Sequence, residues 1–391
     1  MTKPTHNFDE IVDRRGTDAR KYLLYPEDVL PMWIADSDFK APQPVIDALV
    51  RRIAQGVYGY PAISGRLKRA AARWQAVRFG WDVDPDWVEY VPGVIAGIIC
   101  AVRALSRPGD GIVIQSPCYP PFSDLAAHNG RCLLRNQLIL RGRHYEIDFE
   151  DFEEKASDPR TRLFILCNPH NPTGRVFTRE ELVRLGEICL RYHVIVLADE
   201  IHHDLVYAGS RHIPFASLSP ELASRTVSFM NPSKTFNVPG FRTAAFIAED
   251  PLLKDAVHQV VVDNKAFGEN LCGTIAFCTA YEDCDYYADQ LTAYLDGNRR
   301  MLARGLEQVP EIRMISSEGT YFAWLDCRAL GMTQDALDRF FVDQVKLGLN
   351  SGRSFGPDGT GFLRLNFACP RTVASEALER IVTQLTVLRK T

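Results

Sequence analysis

The sequence predicts an α/β protein with a mostly parallel central sheet in a large domain, accompanied by a smaller α+β domain. Short apolar segments alternate with amphipathic ones along most of the chain, which is the pattern of strands joined by crossover helices. Several apolar segments end in Pro, Asn, Ser or Asp. The chain has 391 residues, more than one hydrophobic core usually holds.

Five short apolar segments are the predicted strands of the central sheet. Their lack of polar alternation is typical of strands that are covered on both faces. Ligands of such sheets bind at the carboxyl ends of the strands. The segments are 111–115, 163–167, 194–198, 226–230 and 244–248.

Helices are predicted between these strands and near the end of the chain. Thr178 and Glu181 form a capping box that marks the start of one helix. In the last helix, leucine, isoleucine and valine recur at helical spacing, which indicates core packing. The predicted helices are 44–55, 67–79, 95–105, 179–191, 286–307 and 375–388.

The character of the sequence changes after about Tyr281, although no linker separates two lobes. A long predicted helix is followed there by strands near 322–326 and 362–367. We expect the first forty or so residues to pack onto this second lobe. The prediction is a large domain of residues 45–280 and a small domain formed by residues 1–44 and 281–391.

Composition and charge exclude several classes of function. The formal net charge is −4, so no global field attracts nucleic acid or an anionic membrane surface. We expect no signal peptide and no membrane span, because no long apolar run is present. The ten cysteines are scattered without a CxxC pair, which is typical of reduced thiols and predicts a cytoplasmic protein.

A lysine follows one predicted strand, in residues 231–237 (NPSKTFN). Burial at such a position lowers the pKa of a lysine and makes its amine a usable nucleophile. Taken alone, Lys234 could equally be a surface lysine after a strand.

An acidic residue ends another predicted strand, in residues 197–202 (LADEIH). A buried carboxylate at this position could hold a protonated heterocyclic nitrogen. The alternatives are that Asp199 caps a helix, or that Asp199, His202, His203 and Asp204 bind a metal. Adjacent histidines diverge on most backbones, which disfavours the metal.

Two further loops after strands carry side chains suited to a flat polar ring. Residues 168–174 (NPHNPTG) form an extended, turning loop, in which the Asn171 amide could bind a ring substituent. Residues 116–122 (SPCYPPF) place Tyr119 where its ring could stack. A plain turn and an ordinary buried aromatic are the alternatives.

Two arginines and one helix start are candidates for binding anions. Residues 91–96 (VPGVIA) open a predicted helix, and free N–H groups at such a start bind anions. Arg242 could supply a guanidinium for the same anion. Arg364 lies within an apolar strand, in residues 361–367, where it requires either a substrate carboxylate or an internal acidic partner.

The order and spacing of these motifs resemble fold-type I enzymes that depend on pyridoxal 5′-phosphate (PLP), the class I/II aminotransferase superfamily. Within it, the sequence is most similar to cystathionine β-lyases (C–S lyases) of the MalY/PatB type. The matching residues span almost the whole chain: 12–17, 34–39, 59–60, 168–174, 199–202, 232–237, 319–326 and 364–371.

The resemblance implies a role for each residue around the cofactor ring. It implies that Lys234 holds PLP covalently and moves the substrate Cα proton, and that Asp199 pairs with the pyridine nitrogen. It implies that Tyr119 stacks on the ring. It also implies that Asn171 and His202 approach the phenolic oxygen of the ring.

The resemblance further implies how the phosphate and the substrate are held. The amides of Val94 and Ile95, with Ser233 and Arg242, would bind the phosphate. Tyr60 would reach the phosphate of a partner subunit, which implies a homodimer with shared active sites. Arg364 would bind the substrate α-carboxylate, and Ala35, Asn171 and Tyr60 would also lie on the substrate side.

The expected reaction is elimination from cystathionine or a related cysteine S-conjugate, giving a thiol, pyruvate and ammonia. The same residues would also serve an aminotransferase or a biosynthetic enzyme, and a non-catalytic regulatory protein could retain the fold. Ser37, Cys118 and Asn231 depart from the family pattern on the substrate side.

Overall fold

A computed structural model describes residues 4–61, 65–266 and 268–389. The strands are β1 Leu30–Pro31, β2 Val88–Val91, β3 Gly111–Ser116, β4 Cys132–Gln137, β5 Ile139–Arg141, β6 His144–Glu146, β7 Thr161–Cys167, β8 Ile195–Asp199, β9 Thr226–Met230, β10 Ala244–Ile247, β11 Arg313–Met314, β12 Phe322–Asp326, β13 Leu347–Gly348, β14 Asn350–Ser351 and β15 Phe362–Asn366. The helices are α1 Gln43–Ile53, α2 Arg66–Phe79, α3 Val94–Leu105, α4 Pro120–His128, α5 Phe149–Ser157, α6 Arg179–Arg191, α7 Pro220–Ala223, α8 Ser233–Phe236, α9 Pro251–Asp263, α10 Leu271–Asp283, α11 Asp285–Gly305, α12 Gln334–Phe340 and α13 Arg371–Leu388.

A seven-stranded sheet forms the centre of the molecule, in the order β2-β10-β9-β8-β7-β3-β4. Only β10 runs antiparallel to its neighbours in this sheet, so the predicted mostly parallel α/β fold is confirmed. Strands β3 and β9 are buried along their whole length, because helices cover both faces. A Cβ at Gly97 would lie 2.8 Å from the Phe229 ring, so this glycine lets α3 approach β9 closely.

A second, antiparallel sheet has the order β11-β12-β15-β14. Described residues of the N-terminal segment contact the C-terminal part of the chain. Strand β1 pairs with β13, and the Asn366 side-chain amide donates hydrogen bonds to the carbonyls of Ile34 and Asp36, both at 2.6 Å. The domain boundaries at 44/45 and 280/281 stay a proposal.

The predicted elements differ from the observed ones at their ends, and several observed elements were not predicted, among them the helices α4, α5, α9, α10 and α12. The Thr178 capping box at the start of α6 is confirmed. The last helix begins at Arg371, four residues before the predicted start, because Pro370 caps its first turn. The edge strand β4 and the hairpin β5–β6 were not predicted, since their exposed residues lack an apolar pattern. No helix within the described ranges has the length and apolarity that crossing a membrane requires.

Candidate active site

A cavity of about 480 Å³ lies at the carboxyl ends of the parallel strands, where the sequence predicts it. Its volume is in the range of small-molecule sites. Ten of the twelve predicted site residues line it: Ala35, Val94, Ile95, Tyr119, Asn171, Asp199, His202, Ser233, Lys234 and Arg242. The two others, Arg364 and Tyr60, lie outside the lining.

Lys234 lies in the short helix α8, directly after β9. Its Nζ donates a hydrogen bond to the Ala35 carbonyl at 2.8 Å. Burial and, secondly, the positive charge of Arg364 lower the pKa of Lys234 to about 8, against the opposing carboxylates of Asp36 and Asp199. About a tenth of this amine is therefore uncharged at pH 7, far more than for an ordinary lysine.

The loop that carries Ala35 is fixed from several sides. The Asn237 amide donates to the carbonyls of Ser37 at 2.9 Å and Phe39 at 2.7 Å. The Tyr321 hydroxyl donates to the Ala35 carbonyl at 3.0 Å, the same oxygen that Lys234 contacts. The loop thereby holds the lysine amine at a defined place.

Asp199 ends β8 and is 4% exposed. Burial raises the pKa of its carboxyl to about 6. One oxygen accepts the Ile201 backbone N–H at 3.2 Å, in a turn and not in a helix cap. No ion pair of Asp199 is found in the described part of the chain, so its charge remains available for a ligand.

His202 lines the cavity beside Asp199. Burial holds the pKa of its imidazole well below the usual range, so the ring is neutral. Its ring lies edge-on to Tyr321 and Phe322, at centroid distances of 5.8 and 5.5 Å. Its buried Nδ1 has no hydrogen-bond partner within the described residues.

The opposite end of the cavity is suited to an anion. Gly93 precedes α3 with a φ of 117°, a conformation that favours glycine, and Val94 and Ile95, the first residues of α3, line the cavity. Arg242 lines the same end, and no acidic partner for it is found among residues 4–61, 65–266 and 268–389. The Ser233 backbone N–H donates to the Asn231 side chain, which also lines the cavity.

Arg364 extends from β15 and is 4% exposed. Its guanidinium donates to Asn171 Oδ1 at 2.9 Å, to the Trp33 carbonyl at 2.9 Å and to Asn350 Oδ1 at 2.6 Å. It lies 4.1 Å from the Phe322 ring centroid. Burial lowers its pKa to about 10.

An internal acidic partner for Arg364 was the alternative considered from the sequence, and no such partner is present among the described residues. Every hydrogen bond of its guanidinium goes to a neutral oxygen, and its Nε has no partner in that part of the chain. A buried cation in this state favours an incoming anion.

Tyr119 and Tyr60 occupy very different positions. Tyr119 lines the cavity, and its ring packs edge-on against Phe122 at 5.7 Å. Tyr60 is fully exposed on the surface. Its role toward a partner subunit stays a prediction.

Sequence reasoning missed several residues that surround the site. Cys167, Ile201 and Pro239 line the cavity, while Trp33 and Asn350 bind Arg364. Cys167 pairs with Asp199 across neighbouring strands, a register that strand order alone could have suggested. No sequence pattern marks Asn350 as a site residue, because it lies opposite Arg364 only through the antiparallel pairing of β14 and β15.

Comparison with known proteins places this chain in one family. The model of the family "Aminotransferase class I and II" matches residues 28–381. The chain therefore belongs to the aminotransferase class I and II family, and the predicted superfamily is confirmed.

Within that family, the chain is similar to proteins of the predicted MalY/PatB type. It is 39% identical to cystathionine beta-lyase PatB of Bacillus subtilis, over 96% of this chain and 98% of the relative. It is 29% identical to protein MalY of Escherichia coli, over 98% of this chain and all of MalY. The crystal structure of cystalysin from Treponema denticola, which contains PLP, superposes with a TM-score of 0.95 at 30% identity, covering 98% of this chain and 100% of cystalysin. A PLP-bound C–S lyase from Staphylococcus hominis superposes with a TM-score of 0.91 at 30% identity, covering 98% of both chains.

Proposed function

We propose that this protein is a PLP-dependent C–S β-lyase that cleaves cystathionine or related cysteine S-conjugates. The observation that carries the proposal is one cavity lined by a lysine of lowered pKa, a buried carboxylate and the start of α3, with the buried Arg364 hydrogen-bonded to one of its lining residues. Relatives named cystathionine beta-lyase match nearly the whole chain.

The residues that line the cavity fit each polar part of PLP. The unpaired carboxylate of Asp199 suits the protonated pyridine nitrogen, and the start of α3 with Arg242 suits the phosphate. The free Nδ1 of His202 and the neutral amide of Asn171 suit polar substituents of the ring. The amine of Lys234 suits the aldehyde, because its lowered pKa leaves it partly uncharged.

When bound, PLP would accept the electron pair that remains on the substrate Cα after its proton is removed. Arg364 binds the α-carboxylate of the substrate and so fixes the direction of the Cα–H bond. The Lys234 amine takes the Cα proton. The Cβ–S bond then breaks with both electrons on sulfur, the thiolate leaves, and the released enamine reacts with water to give pyruvate and ammonia.

The assembly and the cellular location are part of the same proposal. A homodimer in which Tyr60 contributes to the partner's site accounts for an exposed tyrosine next to further exposed apolar side chains, Val57 and Tyr58. Eight of the ten cysteines are buried and all ten are free, which suits the reducing cytoplasm.

The test is a product assay with purified, PLP-loaded protein and cystathionine, without any keto acid. The expected result is pyruvate and free thiol in equal amounts. Amino transfer that requires an added keto acid would contradict the lyase and establish an aminotransferase instead. Partner binding that survives Lys234→Ala, with no turnover in the wild type, would establish a regulatory protein.

A further inference from the structure

A second arginine lies on the Arg364 side of the site and takes no part in the chemistry described above. Arg20 begins a short 3₁₀ helix, Arg20–Tyr22, and is exposed. No ion pair of Arg20 is found within the ranges that the structure describes. Exposed arginines without an ion pair are common on protein surfaces, so the role of Arg20 depends on the residues around it.

The segment that carries Arg20 is anchored to the protein interior. Lys21 is 3% exposed, and its Nζ pairs with Asp38 Oδ2 at 2.6 Å. The Lys21 carbonyl accepts the indole N–H of Trp33 at 3.0 Å. The backbone next to Arg20 is therefore held by contacts of the neighbouring residue.

Trp33 connects Arg20 to the substrate-binding arginine. The Arg20 guanidinium lies 5.7 Å from the centre of the Trp33 ring, within the range of a cation–π contact. The Trp33 carbonyl accepts a hydrogen bond from Arg364 at 2.9 Å. Trp33 therefore contacts both arginines, Arg20 through its ring and Arg364 through its carbonyl, and a guanidinium over an aromatic face still has N–H groups to donate.

Arg20 is also close enough to influence the cavity electrostatically. Burial raises the pKa of Tyr119, whereas Arg364 and, more weakly, Arg20 lower it. The charge of Arg20 therefore acts on a residue that lines the cavity.

We infer that Arg20 binds a second carboxylate, at the far end of the substrate beyond the sulfur atom. The inference rests on the proposed function and narrows its substrate class to thioether amino acids with a distal carboxylate. Arg364 binds the α-carboxylate, and Arg20 receives the distal one through a charge-assisted pair. Arg20 is thus a specificity residue that takes no part in proton transfer.

The experiment compares two substrates of similar length with the PLP-loaded protein. S-(2-carboxyethyl)cysteine carries the distal carboxylate, and S-propylcysteine lacks it. Pyruvate formation gives kcat/KM for each, and the ratio of the two values is the readout. We expect Arg20→Gln to lower this ratio about fivefold, the upper end for a solvent-accessible ion pair, and Arg20→Lys to restore part of it.

Arg15→Gln is the matched control, because Arg15 is an exposed arginine of the same segment that lies 5.5 Å from the centre of the Tyr22 ring. It should leave the ratio unchanged. In the wild type the ratio should fall as salt is raised to about 0.5 M, since salt screens an exposed pair.

Two results would overturn the inference and leave the lyase intact. One is that both substrates are cleaved and the ratio of their kcat/KM values is the same in the wild type and in Arg20→Gln. The other is an equal loss on both substrates, which would indicate a structural role. A wild type that cleaves cystathionine but neither compound would overturn the inference alone, and a wild type that cleaves none of the three contradicts the proposed function and the inference with it.

Discussion

Replacement of Arg364 by lysine tests how the substrate is held. The guanidinium is buried and is bound only to neutral oxygens. Its pKa falls from an ordinary 12.5 to about 10, which at 1.36 kcal/mol per pKa unit is about 3 kcal/mol of unfavourable charge burial. A bound carboxylate relieves this cost and adds a bidentate contact.

Lysine keeps the charge but loses the planar fork, so one charge-assisted hydrogen bond disappears. Such a bond contributes roughly 1.5–3 kcal/mol, and we therefore expect kcat/KM for cystathionine to fall about 10- to 100-fold, mostly through KM. PLP binding should be retained, because lysine keeps the positive charge near Lys234 and the start of α3 and Arg242 are unaltered.

The assay is pyruvate formation by the PLP-loaded Arg364→Lys variant over a range of cystathionine concentrations. Arg328→Lys is the control, because Arg328 also stacks on a phenylalanine, at 4.9 Å from the Phe362 centroid, and pairs with Asp326 away from the cavity. An unchanged KM in Arg364→Lys, or an equal rise in the control, would refute the reasoning.

Three further predictions concern the residues around the lysine. Asp199→Asn should still bind PLP but lose about a hundredfold or more in turnover, because a neutral amide stabilises the protonated ring less; unchanged turnover would count against this role. Uptake of PLP by the apoprotein should accelerate as pH rises, with a midpoint near 8, because deprotonation frees the Lys234 amine; a midpoint near 10.5 would mean that its pKa is not lowered. Asp204→Asn should reduce the free energy of unfolding by about 3 kcal/mol in urea titration, because the buried Asp204 carboxylate accepts hydrogen bonds from Trp74 at 3.1 Å and Thr235 at 2.8 Å; a loss below about 1 kcal/mol would show that the contacts are replaceable.

The sequence predicts the part of the site that follows directly from sheet topology. Tyr119, Asn171, Asp199 and Lys234 each lie at or just after the end of a strand. Because parallel strands end at the same edge of the sheet, residues far apart in sequence converge there. Short apolar strands and polar strand ends are visible without a structure, and so this half of the cavity was predictable.

The rim of the site depends on contacts that no local pattern encodes. Trp33 and Arg20 lie in a segment with little regular structure, in which Lys21 is anchored to Asp38 and the Trp33 carbonyl accepts a hydrogen bond from Arg364. Whether Arg364 has an internal acidic partner could not be decided from sequence either. The answer depends on long-range packing of β15 against the loop after β7.

The central claim is that Lys234 is the residue that carries the cofactor. The most direct test is to reduce the PLP-loaded protein with borohydride, digest it and locate the attached pyridoxyl group by mass spectrometry. The account predicts one modified peptide, with the added mass on Lys234. Modification of another lysine, or a protein that takes up no PLP, would contradict it.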